Sequence, residues 1–270
     1  MSPTTPRRLL VRAGRRLPVA VLAVTLVFLY VPVVSIAYFS VAPTAQPSVP
    51  IEGVSLRWYA AVLSDERFLR GLRSSFLVGG VVALLGTALG TLGAYTLVRS
   101  RLPRWLRGLV GLVIALPLFV PTVVVALGIG LFAGRVDLGF GYPTVVLGHL
   151  AWVLPFSTFL LTARYAELDD RLVEAARDLG ASDREVTRTV TLPLLAPALV
   201  ASALFCFTLS FNEFLITFML AGGEVTTMPL QIFSKVRRGA TSFLNAASVL
   251  ILLVSAVLAV TASLLRRPTT

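Results

Sequence analysis

The sequence predicts an all-α protein in which six helices cross a membrane. Of its 270 residues, 56% are hydrophobic and 14% are charged, whereas a typical soluble domain is roughly 45–50% apolar and about 25% charged. A water-soluble globule of this composition could not cover its apolar surface, and a disordered chain would be poorer in Val, Leu and Phe. No run alternates with a period of two, which argues against a transmembrane β-barrel.

Six runs without Asp, Glu, Lys or Arg define the spans. A helix needs about 20 mostly apolar residues to cross a hydrocarbon core of about 30 Å, and five of the runs contain 24 to 27 residues. The first run has 35 residues, and prolines interrupt its end. Its apolar part exceeds the core of a secretory signal, roughly 7–15 residues, so we expect it to be retained. Within a transmembrane domain of residues 17–265, the predicted spans are about 17–39, 74–98, 108–133, 140–163, 194–220 and 242–265.

The placement of the basic residues predicts that both termini lie in the cytoplasm. Basic residues are concentrated on the cytoplasmic side of membrane proteins, and 16 of the 24 lie in the N-terminus, the 99–107 segment, the 164–188 loop and the C-terminus. Residues 1–16 and 266–270 are therefore expected to be cytoplasmic, close to anionic membrane lipid. Because these arginines flank spans instead of forming a patch with exposed aromatic residues, we expect no nucleic-acid partner despite the net charge of +11.

Single-residue counts restrict the chemistry that this chain can perform. His149 is the only histidine and Cys206 the only cysteine, which excludes a multi-histidine metal site and an intramolecular disulfide. The one lysine, Lys235, is followed by valine, so the chain has no P-loop for ATP. We expect no cofactor and no metal on this chain, and these counts disfavour an integral-membrane enzyme.

The most polar segment, residues 164–188, has the pattern of two short helices. Gly180 suits a left-handed cap at the end of the first helix, and Ser182 with Glu185 fits a capping box at the start of a second helix over about 183–190. From the pattern alone, the segment is either a connector packed on the span ends or a lever for a soluble partner. Apolar residues recur at spacings of three and four and predict one stripe on the first helix: Leu168, Leu172, Ala175, Ala176 and Leu179.

The spacing of this loop resembles that of a known family. Glu174-Ala175-Ala176, three residues, Gly180, nine residues and then Val190-Thr191-Leu192-Pro193 are similar to the EAA loop of ABC-importer permease subunits, departing only at Val190, where isoleucine is usual. In that family the loop contains the coupling helix, which docks on a separate ATPase subunit. The implied coupling loop covers about 164–193, with Glu174, Ala175, Ala176, Gly180, Ser182, Glu185, Leu192 and Pro193 as its residues.

The same resemblance implies the fold and the partners. It indicates a type I ABC-importer permease in the bacterial inner membrane, working by alternating access and carrying no enzymatic activity itself. The expected partners are a second permease subunit, two ATP-binding subunits that hold ATP and Mg, and an extracytoplasmic solute-binding protein. We expect the next span to begin at Leu192-Pro193.

Short motifs elsewhere resemble the smaller permease subunit of spermidine/putrescine-type importers. The likeness runs from about Tyr30 to Leu265 and favours a polyamine-like cation as the solute, although that group also carries other small solutes. The motifs are Leu29-Tyr30-Val31-Pro32, Trp58-Tyr59, Pro117 with Pro121, Phe207-Thr208-Leu209-Ser210, Met228-Pro229-Leu230 and Ile232-Phe233-Ser234.

A single carboxylate, Glu213, follows Asn212 at the end of the fifth charge-free run. Carboxylates within membranes usually face a cavity or a partner, and ammonium groups are attracted to aromatic faces. Helical spacing places Phe211, Phe214 and Phe218 on one face partly shared with Glu213. We therefore predict that Asn212, Glu213, Phe211 and Phe214 line a path for a cation.

Two other interpretations of Glu213 stay open. It could pair with an arginine of the neighbouring permease, or it could be the proton or sodium site of a secondary transporter. Such transporters often contain internal repeats, and no convincing repeat is present here. For the remaining intramembrane residues, we favour close packing inside the subunit at Gly86, Gly90 and Gly93 over a contact between subunits, hydrogen bonding between helices at His149, and core packing at Cys206.

Overall fold

The computed structural model describes the backbone of residues 6–265 and the side chains of residues 18–253 and 256. Across this range the regular structure is helical, which confirms the all-α prediction. The predicted cytoplasmic tail, 266–270, and residues 1–5 lie outside the described residues. The helices are α1 (Pro6–Ser40), α2 (Arg57–Ser64), α3 (Glu66–Val98), α4 (Arg104–Ala115), α5 (Thr122–Arg135), α6 (Tyr142–Ala166), α7 (Asp170–Asp178), α8 (Asp183–Val186), α9 (Leu192–Phe211), α10 (Leu215–Leu220), α11 (Met228–Arg237) and α12 (Thr241–Leu265).

Four of the described helices are long and apolar enough to cross a membrane, and a fifth span is formed if a bent pair counts as one. The described side chains of α12 cover only an apolar stretch at Thr241–Leu253. The count of six spans and the orientation of the termini therefore stay predictions. The four long segments are Pro18–Ser40, Glu66–Val98, Tyr142–Ala166 and Asp183–Phe211.

The predicted third span, 108–133, is bent sharply. A short 3₁₀ turn, Leu116–Leu118, follows α4, and the axes on either side of the break differ by 108°. Pro117 and Pro121 explain the bend, because proline lacks an N–H and also disfavours helical conformation in the residue before it. The hydropathy of the run contains no information about this change of direction.

The predicted fifth span, 194–220, is also interrupted, between α9 and α10. At the break, two polar side chains form hydrogen bonds with nearby backbone groups. Asn212 Nδ2 donates to the carbonyl of Thr208 over 2.9 Å, and a carboxylate oxygen of Glu213 accepts from the N–H of Ile216 over 2.8 Å.

The chain divides into two compact units, and the first comprises Met1–Glu66 and Ser234–Thr270. In its described part, α12 packs against α1 and α2. The Trp58 indole N–H donates to the carbonyl of Ala42 over 2.9 Å, and the Ser242 hydroxyl donates to the carbonyl of Thr44 over 2.7 Å.

The second unit, Arg67–Phe233, contains the predicted loop and the predicted solute path. In it α3 approaches α6 at small residues. A Cβ placed on Gly90 would lie 2.0 Å from the Ser157 hydroxyl oxygen. That hydroxyl donates to the carbonyl of Gly86 over 2.9 Å and lies 2.8 Å from the Ser202 hydroxyl on α9. Packing inside the subunit, as predicted for these glycines, is confirmed, and it ties α3, α6 and α9 together.

Candidate functional site

The predicted loop begins with α7, whose first turn is capped. The carboxylate of Asp169 accepts the N–H of Arg171 over 3.0 Å. The helix ends where Gly180 adopts a φ of +87°, a conformation that residues with a Cβ rarely adopt. The N–H of Ala181 bonds back to the carbonyl of Ala176 over 3.1 Å. The predicted glycine cap is therefore confirmed.

The second loop helix, α8, begins with the predicted capping box. The N–H of Ser182 donates to a Glu185 carboxylate oxygen over 2.8 Å, and the Ser182 hydroxyl oxygen accepts the N–H of Glu185 over 3.4 Å. The side-chain and backbone bonds from Ser182 lower the pKa of the Glu185 carboxyl. Across the turn, two nitrogens of Arg177 contact one carboxylate oxygen of Asp183 over 2.8 and 3.1 Å. These bonds hold α7 and α8 as a pair.

Helix α9 begins at Leu192, where the next span was expected to begin, but α8 joins it without a break. A π turn, Thr187–Thr191, connects α8 directly to α9, so Asp183–Phe211 runs as one helix. The N–H of Leu192 accordingly bonds to the carbonyl of Thr187, five residues earlier. Pro193 has no N–H and cannot make the bond four residues back in any case, and a widened turn accommodates this gap without ending the helix.

The predicted apolar stripe of the loop is largely exposed. Leu179 is 89% exposed and Leu172 is 49% exposed, and Ala175 is exposed as well. Glu174 is exposed and lines a cavity of about 570 Å³ under the loop. The loop therefore combines a fixed backbone with an uncovered apolar surface, which does not fit a connector whose stripe packs on the span ends.

One residue that the sequence analysis missed attaches the loop to α3. Arg99, directly after α3, donates to the carbonyls of Leu168 over 2.9 Å and Tyr165 over 3.4 Å, and it forms an ion pair with Asp170. The two charges of the pair are 71 positions apart in the chain. No local spacing in the sequence indicates such a pair.

In the predicted solute path, Glu213 makes its bonds within the subunit. Its side chain is 8% exposed. The carboxylate accepts the N–H groups of Ile216 over 2.8 Å and Thr217 over 3.2 Å, at the start of α10. It also lies 3.7 Å from the Nε2 atom of His149.

His149, fully buried in α6, joins three helices. Its Nδ1 atom lies 2.7 Å from the Ser210 hydroxyl on α9, and its Nε2 atom lies 2.9 Å from the Thr217 hydroxyl on α10. The predicted hydrogen bonding between helices is confirmed. The bonds hold both sides of the break between α9 and α10.

The aromatic residues near the break belong to separate clusters. Phe211 contacts Phe207, with ring centroids 5.6 Å apart, whereas Phe214 contacts Phe218 at 5.5 Å and Phe233 at 4.9 Å. The prediction that Phe211, Phe214 and Phe218 share one face is wrong, because α9 ends at Phe211 and helical spacing does not continue past it.

A cavity of about 320 Å³ adjoins the break. It includes three of the four residues predicted for the solute path, and Phe211 is not part of its lining. Its lining residues are Thr122, Trp152, Thr208, Leu209, Asn212, Glu213, Phe214 and Leu215. Among the described residues, no three His, Cys, Asp or Glu side chains form a group that could hold a metal ion.

Relatives with assigned functions are similar to this chain over most of its length. The putrescine transport system permease protein PotI of Escherichia coli (strain K12) is 32% identical over 90% of this chain and 87% of its own. The spermidine/putrescine transport system permease protein PotC of Haemophilus influenzae is 30% identical, covering 80% of this chain and 83% of its own. PotC of Escherichia coli (strain K12) is 26% identical, covering 95% and 96%.

The fold is similar to that of a chain in the crystal structure of a bacterial ABC transporter involved in the import of the acidic polysaccharide alginate. The TM-score is 0.72 at 18% identity, covering 98% of both chains. The sequence profile of binding-protein-dependent transport system inner membrane components matches residues 86–267, which include the whole EAA-like loop. The chain therefore belongs to this family of ABC-importer permease subunits.

Proposed function

We propose that this permease subunit couples ATP hydrolysis on a separate chain to the inward movement of a small cation. The 164–193 loop docks on one of two ATP-binding subunits in the cytoplasm, and a second permease subunit completes the path. An extracytoplasmic binding protein delivers the solute across the bacterial inner membrane. The observation that carries the coupling role is the exposed apolar stripe on the fixed α7–α8 pair.

The exposure of this stripe supports docking on a protein surface. Exposed apolar patches with a polar rim are typical of interaction sites, and Leu179 is 89% exposed at the end of α7. The Arg177–Asp183 pair connects the two short helices across the turn, and the capping box fixes the start of α8. Because α8 continues into α9, movement of the docked loop displaces that span directly.

The cavity beside the break supports a cationic solute. It combines the Glu213 carboxylate, the Asn212 amide and the aromatic ring of Trp152, which are groups that attract ammonium ions. The names of the relatives PotI and PotC, which specify putrescine and spermidine, favour the same chemistry. We propose that Asn212, Glu213 and Phe214 contact the cation during passage, while Phe211 lies outside the lining.

Substitution of Gly180 tests the coupling role. Valine at φ +87° costs about 1–3 kcal/mol of backbone strain, and a Cβ at this position meets no atom within 4 Å, so the change acts through the turn alone. We expect Gly180→Val to insert normally but to lose uptake or co-purified ATPase, while Gly180→Asn, which tolerates positive φ, keeps both. Full uptake with normal ATPase co-purification in Gly180→Val would contradict the assignment.

Two substitutions of Glu213 separate charge from capping. Glu213→Gln keeps an oxygen that can accept the N–H groups of α10, whereas Glu213→Ala removes that acceptor. If the carboxylate attracts the solute, the Gln variant assembles normally and cation uptake falls sharply, while the Ala variant also loses stability. Unchanged polyamine uptake by the Gln variant, or a cognate binding protein specific for a neutral or anionic solute, rules out this role. Uptake driven by an ion gradient without any ATPase would instead favour the secondary transporter.

A further inference from the structure

Arg99 occupies a position at which three segments of the second unit meet. It directly follows α3, and its guanidinium reaches the end of α6 at Tyr165, the turn before α7 at Leu168, and the first residue of α7 at Asp170. Arginine is suited to such a junction, because its planar group presents five donors in a fixed geometry. A single side chain therefore links the end of α3 to both ends of the 166–170 turn.

The cavity under the loop makes this link important. An open cavity of about 570 Å³ lies between residues near the end of α3 and the α7–α8 pair, and Arg99, Asp170 and Glu174 are in its lining. Side-chain packing does not fill this space, and the hydrogen bond of Arg99 to Leu168 and its ion pair with Asp170 connect the end of α3 to the loop beside it. The rings of Tyr95 on α3 and Tyr165 at the end of α6, which also line the cavity, have centroids 6.4 Å apart.

The loop has a different kind of connection to the other helices. The chain itself attaches it to α6 through residues 167–169 and to α9 through the continuous helix Asp183–Phe211. Helix α3 has no such covalent attachment to the loop, yet it packs on α6 at Gly90 and bonds to Ser157 through the carbonyl of Gly86. Without a bond between α3 and the loop, a force on α7 would rotate α7 about the 167–169 turn and would not displace α3.

We infer that Arg99 is a positioning residue for coupling, which fixes α7 to α3 so that displacement of the loop moves α3 together with α9. The inference rests on the proposed docking of the loop on an ATPase subunit. Its contribution is specific: Arg99 does not bind the ATPase or the solute but prevents the loop from moving independently of the spans. The loss of Arg99 thus separates ATP hydrolysis from transport.

The test uses the full complex, with both permeases, the ATPase and the binding protein, in proteoliposomes. Arg99→Gln removes the positive charge and the guanidinium group, and Asp170→Asn removes the negative charge of its partner, whose side chain is 67% exposed. Arg101→Gln is the matched control, because Arg101 lines the same cavity and forms no described bond to the loop. The measurements are basal ATPase activity, its stimulation by loaded binding protein, and the solute transported per ATP.

For Arg99→Gln we expect basal ATPase activity and co-purification as in the wild type, with transport per ATP reduced at least about fivefold, the lower end of usual coupling between sites. Asp170→Asn should reduce it about two- to fivefold, as expected for a partly exposed pair. Arg101→Gln should leave it unchanged. A structural role alone would instead lower ATPase co-purification and thermal stability along with transport.

Normal transport per ATP in Arg99→Gln overturns the inference, and so does an equal loss in Arg101→Gln. If Arg99→Gln fails to assemble, Asp170→Asn decides: reduced transport per ATP at normal assembly supports the inference, and normal transport overturns it. A wild-type chain that binds no ATPase, or transports without ATP, contradicts the proposed function itself and is thereby distinguishable from failure of the Arg99 role.

Discussion

The absence of a single Cβ determines how closely α3 approaches α6. At Gly90 that atom would lie 2.0 Å from the Ser157 hydroxyl oxygen and 2.7 Å from the Ser157 Cβ. The hydroxyl cannot simply rotate away at no cost, because it donates to the carbonyl of Gly86 and contacts the Ser202 hydroxyl. Close packing and a buried polar network therefore depend on the same glycine.

At this scale we predict that Gly90→Ala destabilises the subunit by about 1–3 kcal/mol, the usual cost of overpacking. Gly80→Ala is the matched control in the same helix, since a Cβ there meets no atom within 4 Å. Thermal unfolding of the purified subunit in detergent measures the difference. Equal unfolding temperatures for the two variants would show that α3 and α6 separate easily.

Residue-level predictions from sequence succeeded where the signal is local. The cap at Gly180 and the box of Ser182 with Glu185 depend on residues within a few positions of one another. Arg99 and Asp170 lie 71 positions apart and are brought together by the packing of whole helices. No pattern in one sequence encodes that proximity.

Among the elements, the loop shows how a helix can begin in a polar segment and continue as an apolar span. The capping box starts α8, and the π turn Thr187–Thr191 carries it into α9. The sequence indicated the start correctly because capping is a local interaction. The continuity of α8 with α9 was not predicted, because a proline early in a span is equally compatible with a new helix and with a widened turn.

We predict that Ser182→Ala speeds amide hydrogen exchange in α8, because losing an N-cap costs typically about 1 kcal/mol. Ser182→Thr keeps the hydroxyl and serves as the control. The pKa of Glu185 is lowered in the folded loop, so its stabilising contribution is present at neutral pH and is lost as the pH falls through that lowered value. Unchanged exchange in Ser182→Ala would mean that α9 alone holds α8 in place.

Two helices are interrupted, at Pro117–Pro121 and at Asn212–Glu213. The sequence contains these residues, but the interruption of the helices at them was not predicted. A run of apolar residues predicts that a segment stays in the membrane, and it does so whether the helix is straight or bent by 108°. The second break depends on side chains that bond to their own backbone. Whether such bonds replace the helical ones is determined by surrounding helices, here through His149.

For the whole molecule, the orientation of the termini is predicted from the arginine distribution, and this prediction can be tested directly. Cys206 is the only cysteine and is fully buried, so a maleimide should label the wild-type chain only weakly. We predict that a membrane-impermeant maleimide added to intact cells labels Glu224→Cys and not Asp178→Cys, both exposed positions. The reverse pattern would place the 164–193 loop outside and exclude its docking on a cytoplasmic ATPase.

The continuity of residues 183–211 as one helix has a consequence for which changes in chain length the subunit can tolerate. Each residue added to a helix turns everything beyond it by about 100°. An insertion between Asp183 and Thr191 would therefore rotate the loop relative to the bonds that Ser202 and Ser210 make on α9. Insertions in the turns at 167–169 and 179–182 would not turn that helix. Among natural variants of this subunit, length differences should be rare within residues 183–211.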